Sequence, residues 1–147
     1  MREVQAWNEE TLVENRMINQ LKKLGYTYVD GAALDQERTS QNEVVLKERL
    51  TNSIKRLNPW ISENNLNKVV RKITHMEVTS LMEANQDFHE ILINKLSVQQ
   101  DLGSGRKSQT VQLIDFDNID ENESIITSQL SYTNANETIR PDIMLYV

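Results

Sequence analysis

Apolar residues near the start of the chain recur three or four positions apart, which is the spacing of one helix face. These residues are Met17, Ile18, Leu21 and Leu24. Asn8 is a favourable N-cap, and Gly25 suits the position just beyond a final helical turn. The pattern predicts a helix that begins after Asn8 and ends at Leu24. A short strand over Tyr26–Val29 and a turn at Asp30-Gly31 are predicted to follow.

The middle of the chain carries three further helical patterns, each opened by a serine that can serve as an N-cap. Ser40 with Glu43 and Ser80 with Glu83 have the spacing of a capping box, and Ser62 precedes the pattern between them. The apolar stripes predicted to be buried are Leu46, Leu50, Ile54 and Leu57, then Leu66, Val69, Val70 and Ile73, then Leu81, Ala84, Phe88, Ile91 and Leu92. Together these helices predict a helical insert over about residues 40–95.

After Lys95 the pattern changes to one that favours strands. Strands are predicted over Leu96–Gln100, Gln109–Phe116 and Ile125–Tyr132, and a last one runs to Val147. The order of helix and strand, helical insert and then several strands predicts an α+β domain. Its sheet is expected to be largely antiparallel at its end.

The last strand places one carboxylate, Asp142, at the start of an apolar run. Pro141 cannot donate a ladder hydrogen bond and belongs at the beginning of the strand, while Ile143–Val147 suits a strand covered on both faces. An ionised carboxylate there needs a partner, because burying an unpaired charge is costly. The partner could be a metal ion, or it could be Arg140 or another cation in an ordinary salt bridge.

Glu14 is a second acid in an unusual place. It lies three, four and seven residues before apolar members of the first helix, so it is in line with the predicted buried stripe. A glutamate at the rim of an apolar face is commonly just solvated. The spacing alone leaves both the functional and the solvated interpretation open.

Composition limits the possible functions. The net charge is −6, from 16 basic and 22 acidic residues, which argues against strong independent DNA affinity. The absence of cysteine excludes disulfides and thiolate metal sites. No secretory signal and no apolar run of membrane-spanning length is present in the sequence, so a soluble, cytoplasmic protein is expected.

Two charged segments, one in the insert and one after it, each allow two interpretations. Basic residues on the first two helices of the insert could touch phosphates, but acidic residues are interleaved with them and no aromatic residues accompany them, which favours solvated faces. The acidic cluster from Asp115 to Glu123 lacks the spacing and central glycine of a calcium loop. A solvated acidic turn is predicted there.

Several segments, taken in order along the chain, resemble the N-terminal region of the R (restriction) subunit of type I restriction-modification enzymes. The matching segments are Glu14 with Leu21–Tyr26, Asn58-Pro59, Ala84–His89, Val111–Phe116, Gln129 within Ser128–Leu130, and Arg140–Val147. The family more often has Asn-Gln-Phe where this chain has Ser-Gln-Leu. The similarity covers nearly the whole chain.

The resemblance implies a PD-(D/E)xK restriction-endonuclease-like core in which Asp142 is the first acid and a metal ligand. A strand carrying Glu-x-Lys would follow beyond Val147, so the chain is expected to be truncated before it. Glu14 would approach as an outer carboxylate of the same Mg²⁺ site. Both acids are thus candidate catalytic and metal-binding residues, and the chain alone is expected to cut little or no DNA.

The implied activity is Mg²⁺-dependent cleavage of double-stranded DNA, coupled to translocation by ATP-using motor domains that this chain lacks. The implied partners are DNA and the methyltransferase and specificity subunits of the complex, with no membrane. An alternative from another class is a non-catalytic docking module. Its insert would contact the motor or the methyltransferase core, and Asp142 would simply be salt-bridged.

Overall fold

A computed structural model describes residues 10–76 and 80–147 of the chain. Its helices are α1 Asn15–Lys23, α2 Gly31–Glu37, α3 Lys47–Leu57, α4 Glu63–Thr74 and α5 Leu81–Glu90. Its strands are β1 Thr27–Tyr28, β2 Ser97–Asp101, β3 Arg106–Thr110, β4 Ile125–Ser128, β5 Tyr132–Asn134, β6 Glu137–Ile139 and β7 Ile143–Tyr146. They form two compact units: one combines the described part of Met1–Val44 with Glu123–Val147, and the other is Val45–Asn122.

The first unit is built on a three-stranded sheet in the order β1-β4-β7. The central strand β4 is parallel to β1 and antiparallel to β7, with Ile125 opposite Tyr146 and Ser128 opposite Ile143. Ile126 and Thr127 in the middle of β4 are fully buried. Strand β7, which follows Asp142, pairs along one edge with β4, and its Leu145 is 46% exposed. The expectation that both faces of the last strand are covered was therefore wrong for Leu145.

The opening helix is present as predicted, but its predicted buried stripe was partly wrong, because Met17 and Leu24 are 50% and 76% exposed. A π-helical turn over Glu10–Glu14 continues into α1, and Ile18 is its buried apolar residue. The helix ends at Lys23 with Leu24 as its C-cap, and Gly25 follows with φ of +99°, the left-handed backbone that glycine adopts without strain. The predicted start after Asn8 lies outside the described residues.

The predicted turn at Asp30-Gly31 was wrong, because Asp30 begins a helix. Its carboxylate accepts a hydrogen bond from the Ala32 N–H at 2.9 Å, which makes Asp30 the N-cap of α2. Leu34, on the inner face of this helix, is completely buried. An Asp-Gly pair is a strong hairpin signal, but here the helix-forming residues after it decide the structure.

The predicted strand Ile125–Tyr132 is interrupted in the middle. Strand β4 ends at Ser128, and Gln129 follows in a left-handed conformation with φ of 57°. The chain then enters a separate two-stranded hairpin, β5–β6. The antiparallel pairs β4–β7 and β5–β6 confirm the expectation of an antiparallel end to the chain.

The second unit is a helical layer around an apolar core, together with the β2–β3 hairpin. Its buried core residues are Ile54, Ile61, Leu66, Val69, Ile91, Leu96 and Val111. Ser62 and Ser80 cap α4 and α5 as predicted, accepting hydrogen bonds from the Asn65 and Glu83 N–H groups at 3.3 and 3.2 Å. The unit runs to Asn122, so it extends beyond the predicted helical segment 40–95 to include the hairpin.

Three details of this region differ from prediction. The Ser40–Glu43 capping box does not open a helix, because the Glu43 carboxylate accepts from the Thr39 N–H at 2.9 Å and α3 begins only at Lys47. Leu81 and Phe88 are 79% and 40% exposed rather than inward. Strand β3 ends at Thr110 instead of Phe116, so the predicted strand Gln109–Phe116 was wrong beyond its first two residues.

The mixed helix and strand content is compatible with the predicted α+β class. Across the described residues, every helix is too short or too polar to cross a bilayer.

Candidate active site

One side-chain amide joins the two acids that the sequence singled out. Gln129 Nε2 lies 3.0 and 3.1 Å from the two carboxylate oxygens of Glu14, and it donates to both. The same nitrogen lies 3.4 Å from Asp142 Oδ1. Glu14 and Asp142, which lie 115 and 13 positions from Gln129 in the sequence, therefore meet at one nitrogen atom.

Asp142 reaches this point from the residue just before β7. Its backbone carbonyl accepts a hydrogen bond from the Gln129 N–H at 3.2 Å, which continues the pairing of β4 and β7 by one more bond. Asp142 is exposed, so the premise that its charge is buried was wrong, and the preceding Pro141 is half-buried. Arg140, its predicted salt-bridge alternative, directs Nε to the Gln129 carbonyl at 3.2 Å.

Glu14 reaches the same point from the π-helical turn before α1. It is half-buried and lies one turn before the buried Ile18. Met17, predicted to share the buried stripe, is 50% exposed, so the buried face is narrower than the pattern indicated. The Glu14 carboxylate is held by the amide of Gln129 instead of being left to solvent.

Gln129 occupies this position only because its backbone is left-handed. A φ of 57° is uncommon for a residue other than glycine, asparagine or aspartate, and it costs about 1–2 kcal/mol. The two backbone hydrogen bonds, one to Asp142 and one from Arg140, hold the residue there. Left-handed backbone at this point breaks the strand alternation after Ser128 and re-aims the side chain. Strain of this kind is frequent at functional sites.

Oxygen donors of this kind suit a hard divalent cation. Mg²⁺ is commonly held by one or two carboxylates, with water and substrate phosphate completing its shell. Glu14 and Asp142 fit that requirement as a pair. Within residues 10–76 and 80–147, no group of three or more His, Cys, Asp or Glu side chains is placed to hold a metal ion. Two carboxylates by themselves would fill only part of such a shell.

The sequence identified both acids but missed the role of Gln129. The segment Ser128–Leu130 was noted only as a family landmark, and nothing local marks its glutamine as a bridge. The bridge depends on a left-handed residue and on contacts with two distant segments. The predicted strand Ile125–Tyr132 ran straight through Gln129, so the pattern gave no sign of the turn that directs its side chain.

Elsewhere in the first unit, a polar cluster supports the sheet and lies apart from the acids. The Tyr132 and Tyr146 hydroxyls are hydrogen-bonded, and burial together with this bond raises the pKa of the Tyr146 phenol well above its usual range. The Arg38 guanidinium stacks over the Tyr132 ring at 4.9 Å and donates to the Ser131 carbonyl at 2.7 Å. This cluster anchors the hairpin to helix α2, which Arg38 follows.

The charged segments of the second unit are partly explained by contacts within that unit. Lys55 pairs with Glu63 at 2.6 Å, and Arg56 donates to the Glu121 carbonyl at 2.9 Å. The Asp115 carboxylate accepts hydrogen bonds from the N–H groups of Asp117 and Asn118 at 3.0 and 2.9 Å. The hydrogen bonds from Asn118 lower the pKa of the Asp115 carboxyl. This is the hydrogen bonding of an acidic turn. The interpretation of the remaining basic residues as solvated faces, favoured over phosphate contact, stays a prediction.

Comparisons with known proteins agree with the resemblance. The family model described as the type I restriction enzyme R protein N terminus matches residues 6–147. A Methanocaldococcus jannaschii protein, provisionally named type I restriction enzyme MjaIXP endonuclease subunit, is 33% identical over 99% of this chain. The type I restriction enzyme HindI endonuclease subunit of Haemophilus influenzae is 27% identical over 94% of this chain. The chain spans only 15% and 14% of these two relatives. Because the family model covers nearly every residue, the chain belongs to the type I restriction enzyme R protein N-terminal family.

Proposed function

We propose that this chain forms the N-terminal part of an endonuclease domain that cleaves double-stranded DNA with Mg²⁺. The observation that carries the proposal is the convergence of Glu14 and Asp142 on Gln129. The left-handed backbone of Gln129 and the gathering of two carboxylates at one amide are both unfavourable for folding. A shared functional role for Glu14 and Asp142 explains both features. The names of the two relatives, each an endonuclease subunit, support the same conclusion.

Hydrolysis of a phosphodiester needs two forms of assistance. The negative charge of the scissile phosphate must be neutralised, and a water molecule must become a better nucleophile. Bound Mg²⁺ supplies both kinds of chemistry. Asp142 is proposed to ligate the ion directly from the edge of the sheet, and Glu14 is proposed to add an outer carboxylate from the opening helix. Glu14 is half-buried, and both of its carboxylate oxygens accept from the same Gln129 amide nitrogen that lies 3.4 Å from Asp142 Oδ1.

The fold assigned by this proposal is a PD-(D/E)xK core. Strand β7 would be followed by a further strand that brings Glu-x-Lys to the acids, the glutamate as a second ligand and the lysine to orient or activate water. Among the described strands, β7 pairs along only one of its edges, so its other edge can pair with such a strand. Without those residues the chain by itself is expected to cut little or no DNA.

In the complete subunit, cleavage is proposed to be coupled to ATP-driven translocation along DNA. Motor domains elsewhere in the subunit would use the ATP. The methyltransferase and specificity subunits would assemble with it in the cytoplasm and recognise the target sequence.

A docking role is the second candidate, and one observation favours it. Leu81 and Met82 at the start of α5 are 79% and 81% exposed, although residues of this size are usually covered. In this alternative the second unit contacts the motor or the methyltransferase core, and Asp142 has no role in cleavage.

Replacing Asp142 separates the two candidates. In the complete restriction complex, Asp142→Ala is expected to lower DNA cleavage at least about 100-fold, because a metal ligand is lost. ATP hydrolysis and translocation should be unchanged. Glu137→Ala, which removes another exposed carboxylate from the neighbouring hairpin, should cleave normally. Full cleavage by Asp142→Ala with intact ATP hydrolysis and translocation would reject the nuclease assignment of Asp142.

A further inference from the structure

We propose that Gln129 is a third ligand of this metal site and that its amide turns over when the ion binds. Without a cation, the amide nitrogen holds the two carboxylates together. With a cation, the amide oxygen faces the ion. This inference rests on the proposed function, because it assumes that Glu14 and Asp142 share a divalent ion.

The first step of the argument is the chemistry of the amide. Ionised carboxylates can only accept hydrogen bonds, so an amide that lies between two of them must present its NH₂ group. Gln129 does so, with three carboxylate oxygens at 3.0, 3.1 and 3.4 Å from Nε2. The nitrogen thus occupies the position where the two acids jointly attract positive charge.

A divalent cation placed between the same acids reverses that preference. Its charge repels the partly positive NH₂ group and attracts the amide oxygen, which is a ligand of the type that Mg²⁺ and Ca²⁺ accept. Gln129 must then either leave the site or rotate its amide. Rotation supplies a third oxygen to a pair of acids that, among the described residues, has no third His, Cys, Asp or Glu placed to join them.

The backbone around Gln129 allows this rotation and disfavours departure. The N–H bond to Asp142 at 3.2 Å and the carbonyl bond from Arg140 at 3.2 Å fix the main chain on both sides of the side chain. The terminal torsion of a glutamine is broad and roughly two-fold, so a half-turn of the amide is easy. The residue is only half-buried. The strained φ of 57° is thus part of the backbone arrangement that holds Gln129 beside the two acids.

The opposing view is that Gln129 only blocks the site. The two views predict opposite results for Gln129→Leu, which removes both amide atoms and keeps an apolar side chain of similar length. Loss of a ligand weakens binding of the ion, whereas loss of a blocking group strengthens it. Gln129→Glu replaces the amide with a carboxylate of the same shape, so as a ligand it should bind the ion more tightly.

The test measures Mn²⁺ binding by electron paramagnetic resonance in the complete R subunit without nucleotide. Asp142→Ala defines the signal that comes from other sites. We expect Gln129→Leu to weaken the Asp142-dependent affinity at least about 10-fold, and Gln129→Glu to strengthen it. Gln129→Gly, which accepts the left-handed backbone, should weaken it as Gln129→Leu does. That variant separates loss of the ligand from a folding defect.

Failure of the inference and failure of the proposed function give different results. If Gln129→Leu and Gln129→Gly bind Mn²⁺ at least as tightly as the wild type, while Asp142→Ala does not, the ligand role of Gln129 is wrong and the metal site stands. If wild type and Asp142→Ala bind Mn²⁺ equally, the shared site itself is wrong, and the role of Gln129 is rejected with it.

Discussion

Asn58 and Gln129 are side-chain amides of the same chemistry, and the two compact units use them differently. The Asn58 amide is 1% exposed and bonds only to main chain, donating to the carbonyls of Ile54 and Gln112 at 2.8 and 2.7 Å and accepting from the Gln112 N–H at 2.8 Å. Gln129 is half-exposed, its backbone is left-handed, and its amide donates to two carboxylates.

The difference separates an amide that holds a fold together from one that serves a site. Asn58 satisfies backbone groups that burial would otherwise leave unpaired, so its value is structural. The left-handed backbone of Gln129 is strained, and its amide brings two negative charges together near the surface. Both features lower the stability of the fold, which is expected of a residue that serves a site. The comparison predicts that changes at Asn58 act on stability and changes around Gln129 act on metal binding.

The largest expected effect on stability is that of Asn58→Leu. Removing the amide leaves the N–H and carbonyl of Gln112 without their partner, which should lower the free energy of unfolding of the second unit by about 3 kcal/mol. Urea unfolding followed by Trp60 fluorescence, in a Trp7→Phe background, measures it. The matched control is Asn52→Leu on the exposed face of α3, which should change stability by less than about 0.5 kcal/mol. Equal effects of the two changes on the free energy of unfolding would contradict a structural role for Asn58.

A smaller loss is expected from Gly31→Ala at the start of α2. An added Cβ would lie 2.8 Å from the backbone oxygen of Ser128, the residue before Gln129, and a backbone atom cannot rotate away. We expect a cost of about 2 kcal/mol and a weaker Mn²⁺ affinity, because the displaced segment carries the amide. Thermal unfolding and Mn²⁺ titration check the two effects.

The control for this change is Ala33→Ser, at an exposed position of the same helix. It should leave both quantities nearly unchanged. If Gly31→Ala lowers stability but leaves Mn²⁺ affinity intact, the site does not depend on the placement of Ser128.

The smallest effect is expected for Tyr146→Phe, which tests whether the paired tyrosines belong with Asn58 as structural groups. At neutral pH, loss of the hydroxyl bond to Tyr132 should cost about 1 kcal/mol of stability with little change in Mn²⁺ affinity. The pKa of Tyr146 is raised in the folded state. Its contribution is therefore fully present below the unfolded tyrosine pKa of about 10 and is lost as the pH rises above it.

The variant should therefore lose less stability than the wild type on going from pH 9 to pH 11. Urea midpoints over that range measure the difference. An identical alkaline decline in both proteins would show that Tyr146 titrates normally in the fold.

Local signals predicted local structure well. Ser62 and Ser80 act as caps within three residues of their partners, so the sequence was enough to place α4 and α5. The similar signature at Ser40 failed because its Glu43 bonds to Thr39 instead of opening a helix. Strand β3 stops early because the Gln112 main chain bonds to Asn58, a partner 54 residues away. No local pattern encodes such a partner.

The candidate site divides in the same way. Asp142 could be found because a charge before an apolar strand is unusual, and Glu14 because it lies on an apolar stripe. The shared contact of the two acids with Gln129 could not be predicted from either pattern. It depends on the left-handed turn at Gln129, and a glutamine gives little reason to expect that conformation.

Anomalous diffraction from crystals of the complete nuclease region soaked in Mn²⁺ tests the central claim most directly. The account predicts a peak within about 2.1–2.2 Å of an Asp142 oxygen, next to Glu14 and with the Gln129 amide oxygen turned towards it. A well-ordered site at saturating Mn²⁺ with no peak there, and with Gln129 Nε2 still bonded to both carboxylates, would contradict it.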